Sequence, residues 1–328
     1  MSKWLLDRLF TTEKQPTPRF AFQGTVNWMR ALALIVEAPG FHDTELREFY
    51  ANVQRRPANP VADTGVFENL LMSIHQVASL GSVNRNINDR YDVVRSAIVA
   101  WYYAVYAATR AMVLATSGAS PEQHRATAKV WHRDIVQDGL AVRPFGLSLS
   151  TLVATEVKKQ VANLRGHLTH ALNTPAENLD EAWGAAYSYL SGTAEDEKSR
   201  MEGQVRSTSE FKKLGVNDFR TKAARELRDR ALSKGRVNFL IQAFRYRGKA
   251  NYRDAIYLTY GDTRTEEINQ FTRDLETVAT AHLRMAGHYA NRRVEKGTWN
   301  QFIDDLEANL RVNFDLSRLR VDAGSREG

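Results

Sequence analysis

Arginine and histidine recur in this chain at short separations, and the two side chains together suit chemistry on a phosphodiester. An imidazole can deprotonate or orient a ribose hydroxyl, while a guanidinium steadies the charge that develops on phosphate oxygen. Arg165-Gly-His167-Leu-Thr-His170 has an arginine and a histidine separated by four residues, and Arg125 to His132 has six between them. With eight histidines and many arginines, such pairs also arise by chance. In an unbroken helix, residues five apart point about 140° from one another. Arg165 and His170 therefore converge only if Gly166 starts or breaks a helix. His167 and His170 could touch one metal ion, but no nearby carboxylate completes a ligand set. No metal or cofactor is expected. His282 falls on an apolar stripe and reads as a core histidine.

Other chemistries lack support. The chain has no cysteine, which excludes disulfides, thiolate zinc sites, iron–sulfur clusters and thiol nucleophiles together. Gly-x-x-x-x-Gly-Lys-Ser/Thr, Gly-x-Gly-x-x-Gly, His-Glu-x-x-His and Gly-x-Ser-x-Gly are all missing. P-loop, dinucleotide-binding, zincin and α/β-hydrolase readings fall with them.

The elements that must position these residues read as helices almost throughout. Val26–Glu37 is a short amphipathic segment stopped by Pro39-Gly40, and Thr44–Arg56 is a second, ended by Pro57 and Pro60. Phe67–Leu80 is a third, closed by Gly81. Tyr91–Thr116 is apolar on most of its circumference and ends at Gly118. Ser120-Pro121-Glu122-Gln123, Thr174-Pro175-Ala176-Glu177 and Thr263-Arg264-Thr265-Glu266 each look like a helix start. A stripe of Val157, Val161, Leu164 and Leu168 runs between Leu152 and Leu172. Ile268, Phe271, Leu275, Val278, His282, Met285 and Tyr289 form a longer stripe of about six turns, either bundle core or a partner-facing seam. Strand and hairpin signals are nearly absent. An all-α fold is expected.

Charge is unevenly placed. The 328 residues hold 45 Lys+Arg and 38 Asp+Glu, a net +7. Between Arg165 and Lys198 there is no Lys or Arg. Lys198 to Arg253 then holds 16 against 5, a local +11, and leaves the remainder at 29 minus 33, or −4. Such a block either solvates helices or meets a phosphate backbone. On the second reading Lys212, Lys213, Arg225, Arg228, Arg236, Arg245, Lys249 and Arg253 contact nucleic acid. Phe211, Phe219, Phe239, Phe244, Tyr246 and Tyr252 are interleaved and either stack on bases or pack internally.

Three segments in order resemble the HEPN superfamily, helical nucleotide-binding domains of higher eukaryotes and prokaryotes. Arg95 to Leu114, with Tyr102-Tyr103-Ala104 at its centre, is similar to the family's long helix. Gln123 to Trp131 resembles the next helix, with His124 at its start and an aromatic seven residues on. Phe244-Arg-Tyr-Arg247-Gly-Lys-Ala-Asn251-Tyr252-Arg-Asp254 is similar to its Arg-x-x-Ala-Asp-Tyr pattern, ahead of a capped final helix. The likeness covers about Arg85 to Lys296, with a long insertion. It departs at Asn251, where Asp is usual, and at Tyr252, where the Arg-x(4–6)-His pattern of active ribonucleases would place histidine.

What the resemblance implies is a HEPN-like helical bundle over residues 85–296 with an insertion at about 140–235. An N-terminal helical region over 1–84 and a C-terminal helix and tail over 297–328 flank it. It also implies RNA or another nucleic acid as partner, a homodimer or larger complex, and metal-independent ribonuclease action in a toxin or anti-phage system. The catalytic residues would be Arg165 with His170, or Arg247 with His124, and Tyr252 beside them. A catalytically silent subunit that binds nucleic acid and a protein partner is the other reading. Met1 to Phe10 is interrupted by Lys3, Asp7 and Arg8, so no signal peptide is expected. The most apolar stretch, Ser96–Thr109, is 14 residues against the roughly 20 that cross a bilayer. No membrane contact and a cytoplasmic location are expected.

Overall fold

The three- and four-residue steps of the apolar residues set the architecture. The computed structural model describes residues 18–251 and 265–320, with side chains described for 23–248 and 265–320. The chain is an all-α helical bundle. Its helices are α1 (Pro18–Glu37), α2 (Asp43–Phe49), α3 (Pro60–Asn86), α4 (Val94–Ser117), α5 (His124–Trp131), α6 (Ala154–Arg165), α7 (Leu179–Ser207), α8 (Ser209–Lys212), α9 (Lys222–Leu232), α10 (Phe239–Asn251), α11 (Thr265–Arg293) and α12 (Thr298–Asn309). Two strands of two residues, β1 (Ser148–Leu149) and β2 (Val237–Asn238), pair antiparallel. They bring the two flanks of the 150–236 excursion side by side.

Helix α4 is the axis. It packs against α3, α10 and α11, and Trp101, Tyr102, Val105, Ala108 and Met112 are wholly buried along it. A helix apolar all round has to be enclosed, and this one is. Together with the turn before it, it is the one helix among the described residues long and apolar enough to cross a membrane, and 78% of its most apolar window is buried in the bundle. It outruns the 14-residue apolar stretch because the backbone continues helically past Arg95 and Arg110.

The long stripe on α11 also faces inward. Ile268, Phe271, Leu275, Val278, His282, Met285 and Tyr289 are all fully buried against α1, α3 and α4, so this stripe is core within one chain. Helix α7 packs on α1, with Tyr189 stacked on Trp28 at 3.9 Å and Tyr246 and Trp101 against the same indole. One hydrophobic core therefore joins residues from the N-terminal region, the insertion and the C-terminal helices. A second, small cluster of Val205, Phe211 and Ala224 holds α8 and α9 to the far end of α7.

Several boundaries differ from the sequence expectation. Helix α3 runs through Gly81, because a helical glycine costs only about 1 kcal/mol and the following turn is anchored across the bundle. There Asn84 donates to Thr272 O and to Glu276, and Arg85 donates to Asn313 O. Pro60 opens this helix behind an Asn59 cap instead of closing the one before. Helix α2 stops at Phe49, short of Arg56. Beyond it the chain is held extended by arginines on helix C-terminal carbonyls, where cations are favoured. Arg56 donates to Ala115 O, and Arg293 to Gln54 O and Thr116 O. Helix α7 begins at Leu179 with Asn178 as cap, four residues past the Thr174 signal. Gly166, with φ +54°, breaks the chain after α6. Thr263 and Met1–Phe10 lie outside the described residues.

Candidate functional site

Spacing of four along α4 puts Tyr102, Tyr106 and Arg110 on one face, with Tyr103 beside them. The chain then reverses at Gly118, whose φ of +70° suits glycine at a helix end. It returns as α5 with His124 as its first residue. The expected start at Ser120 is not used, because the Ser120 hydroxyl receives Arg110 Nη2 at 2.9 Å, while Thr127 ties back to Pro121 O and Gln123 O. Helix α10 crosses both, with Phe244 and Arg247 one turn apart on its near side.

Three helices thus bring together residues distant in sequence. His124 Nδ1 lies 2.7 Å from Tyr102 Oη. The Arg247 guanidinium sits over the rings of Tyr102 at 5.1 Å and Phe244 at 5.3 Å, and donates to Tyr103 Oη at 3.2 Å. The Tyr106 ring stands 4.4 Å from the imidazole. Arg247 Nε is buried without a hydrogen-bond partner. His124 Nε2 makes no hydrogen bond among the described residues. His124, Tyr103 and Arg247 are half-buried, so part of the cluster is open to solvent.

The electrostatics favour a neutral imidazole. Burial lowers the His124 pKa below its ordinary 6.5, and the Arg247 and Arg110 charges lower it further. Burial pushes the Tyr102 hydroxyl well up, against the opposing pull of Arg247. Tyr102 therefore stays protonated and fixes the imidazole by hydrogen bonding.

A buried carboxylate supports the floor. Glu197 on α7 is only 4% exposed and takes both Arg125 guanidinium nitrogens at 2.8 Å, plus Arg200 at 2.7 Å. Burial alone would raise its pKa, but Arg125 and Arg200 hold it below the usual carboxylate value. Arg125, next to His124, also lies over Phe244 at 5.4 Å. The pair fixes the first turn of α5 to α7.

Of the catalytic candidates, the structure brings Arg247 and His124 into one cluster. It joins Arg165 to His170 by no hydrogen bond, ion pair or ring contact among the described residues. Although Gly166 does break the helix, the His170 ring is engaged by Thr174 and lies 3.9 Å from Glu181. Arg125 is committed to Glu197, and His132 is buried with its Nδ1 unpartnered, its pKa lowered by burial and by Arg236. His282 is fully buried among Trp131, Phe145 and Phe239, a core residue as expected. Tyr252 and Arg253 lie outside the described residues, as does the side chain of Lys249.

The basic candidates divide. Lys212, Lys213 and Arg225 are exposed on α8 and α9, and Arg236 is exposed beyond them. Arg228 pairs with Asp229 and covers Phe219. Arg245 is turned inward to Asp196, Thr193 and the Tyr189 ring, so it belongs to the α7–α10 contact and not to an open surface. Phe211, Phe239 and Tyr246 are buried, which leaves Phe219 and Phe244 half-exposed among the described aromatics of this block.

Tyr102 and Tyr103 entered the sequence reading only as part of the Tyr-Tyr-Ala likeness, and sequence patterns did not single out Tyr106, Arg110 or Glu197 as site residues. Tyr106 and Arg110 carry a legible signal, since with Tyr102 they form an i, i+4, i+8 series that is polar-tipped on an otherwise apolar helix. Glu197, 72 residues from Arg125, carries none. Comparison with models of protein families, with curated proteins and with solved structures finds no match for this chain.

Proposed function

We propose that this chain is a HEPN-like, RNA-directed protein that cleaves RNA without a metal at the Tyr102–His124–Arg247 cluster, in the cytoplasm, as part of a toxin or anti-phage system. The observation that carries the reading is a half-buried imidazole, hydrogen-bonded to Tyr102 and kept neutral, beside the half-buried Arg247 guanidinium. With Nδ1–H donating to Tyr102 Oη, Nε2 holds a free lone pair and takes the proton from a ribose 2′-hydroxyl. The 2′-oxygen attacks the adjacent phosphorus, and the bond to the 5′-oxygen breaks. That oxygen takes a proton from water, while the phosphate becomes a 2′,3′-cyclic ester. Arg247 steadies the negative charge on the phosphoryl oxygens. A second copy of the chain would complete the groove along which RNA lies.

The test is incubation of labelled RNA with the full chain in EDTA, beside His124→Ala, Arg247→Ala and Tyr102→Phe. Cleavage should fall about 10²- to 10⁴-fold without the imidazole, and the product should end in a cyclic phosphate. Cleavage retained in His124→Ala and Arg247→Ala, or lost only in Arg165→Ala/His170→Ala, would remove the cluster from the reaction.

The exposed Lys212 and Lys213, which have no ion-pair partner among the described residues, favour a second reading, a binding subunit that holds nucleic acid and does not cut it. Salt-sensitive RNA binding with no cleavage by the unaltered chain selects that reading.

A further inference from the structure

We infer that the cavity between α6 and α7 binds a single phosphate group, either free or at the end of a small phosphate ester. The cavity has a volume of about 230 Å³. That is smaller than the roughly 300–1,000 Å³ typical of sites for larger organic ligands, so it suits one polyatomic anion with little attached. Gly184 on α7 lines it and lets the 169–170 backbone come close. A β-carbon there would stand 2.6 Å from Thr169 C and His170 N.

Its lining is rich in donors and holds no carboxylate. Arg165 reaches it from the last turn of α6, and its side chain makes no hydrogen bond or ion pair among the described residues. Tyr187 lines the cavity, and its hydroxyl is not buried and makes no hydrogen bond among the described residues. Thr169 and Ser191 add two further hydroxyls that are equally unpartnered. Ser188 lines it too, but its hydroxyl already donates to His170 O at 2.7 Å. Arg143 adds a second positive charge acting on Tyr187. Glu181 faces His170 and accepts the Glu177 amide, and it does not line the cavity.

Charge and donor count together select the ligand. An unpaired guanidinium gives a planar fork for two anion oxygens, and three hydroxyls remain for others. A carboxylate has too few oxygens to meet them, whereas a phosphate monoester presents three and a second negative charge.

Calorimetric titration of the full chain with inorganic phosphate and with glycerol phosphate tests this directly. One site per chain is expected for both, and a tighter ester would identify the esterified group as the preferred source. Arg165→Ala and Tyr187→Phe should each weaken binding by about tenfold, since a hydrogen bond to a charged group is worth that much or more. Arg165 is exposed, so its removal leaves the ligand-free unfolding temperature unchanged. His124→Ala should bind phosphate as the unaltered chain does, which separates this site from the cluster proposed for RNA cleavage. Absence of binding at millimolar phosphate, or equal binding by Arg165→Ala, would overturn the assignment.

Discussion

At the residue scale, two histidines show how burial decides protonation. His124 shares its surroundings with Arg247 and Arg110, and both charges act in the same direction as burial. Arg110→Gln should therefore raise the His124 pKa toward 6.5, as read from the imidazole resonances in a pH titration. An unchanged value would mean that burial and Arg247 set it without Arg110. His282 is the simpler case, since burial without any hydrogen-bond partner lowers its pKa to about 3. The folded form stays neutral while the unfolded chain takes up a proton below 6.5. The stability tied to His282 is thus fully present above pH 6.5 and drains away as pH falls toward 3. At about 1.4 kcal/mol per pH unit, the loss from pH 6.5 to 5 is about 2 kcal/mol. Urea unfolding at pH 7 and 5 should show it, and His282→Leu should remove it, because the ring sits among apolar groups. An equal acid loss in both proteins would clear His282 of the effect.

At the scale of elements, glycine has opposite meanings at two points of α7. A β-carbon on Gly184 would stand 2.6 Å from the 169–170 backbone, whereas one on Gly203 would meet nothing within 4 Å. Gly184→Ala should destabilise by about 1–3 kcal/mol through overpacking, and Gly203→Ala should stabilise by up to about 1 kcal/mol through helix propensity. Thermal or urea unfolding of the two variants checks the contrast, and equal shifts would contradict it. The same divide explains what the sequence discloses of the elements. The seven-residue stripe of α11 and the apolar circumference of α4 are local patterns, and both match the structure. The starts of α5 and α7 are decided by what competes for a side chain: Arg110 claims Ser120, and Asn178 outdoes Thr174 as a cap. Gly81 looks like a stop until Glu276 and Asn84 tie α3 to α11. His124 and Arg247 are recognisable separately, by likeness to a family pattern. Their meeting, and the support of Arg125 by Glu197, depends on three helix crossings that no local spacing encodes.

At the scale of the whole molecule, the charge imbalance has a definite address. Lys198 to Arg253 carries +11 and the rest −4, and several of its arginines are paired, two of them with acids just outside the block. Arg200 pairs with Glu197, Arg228 with Asp229, Arg230 with Glu210, and Arg245 with Asp196. Lys212 and Lys213 have no such partner among the described residues, and they stand on the small lobe built around Val205, Phe211 and Ala224. If this lobe meets the nucleic-acid backbone, these two lysines release counterions on binding. Lys212→Glu/Lys213→Glu should then weaken RNA binding and reduce the slope of log affinity against log salt by about 1.4, at roughly 0.7 per contact with a single strand. Lys158→Glu/Lys159→Glu changes net charge equally on exposed positions of α6, outside the lobe. That control should lower affinity only slightly and leave the slope near its original value. Fluorescence titrations of labelled RNA across a salt series distinguish the two. Equal slopes in both double variants would mean that the attraction is a property of overall charge, and the lobe would lose its claim to the contact.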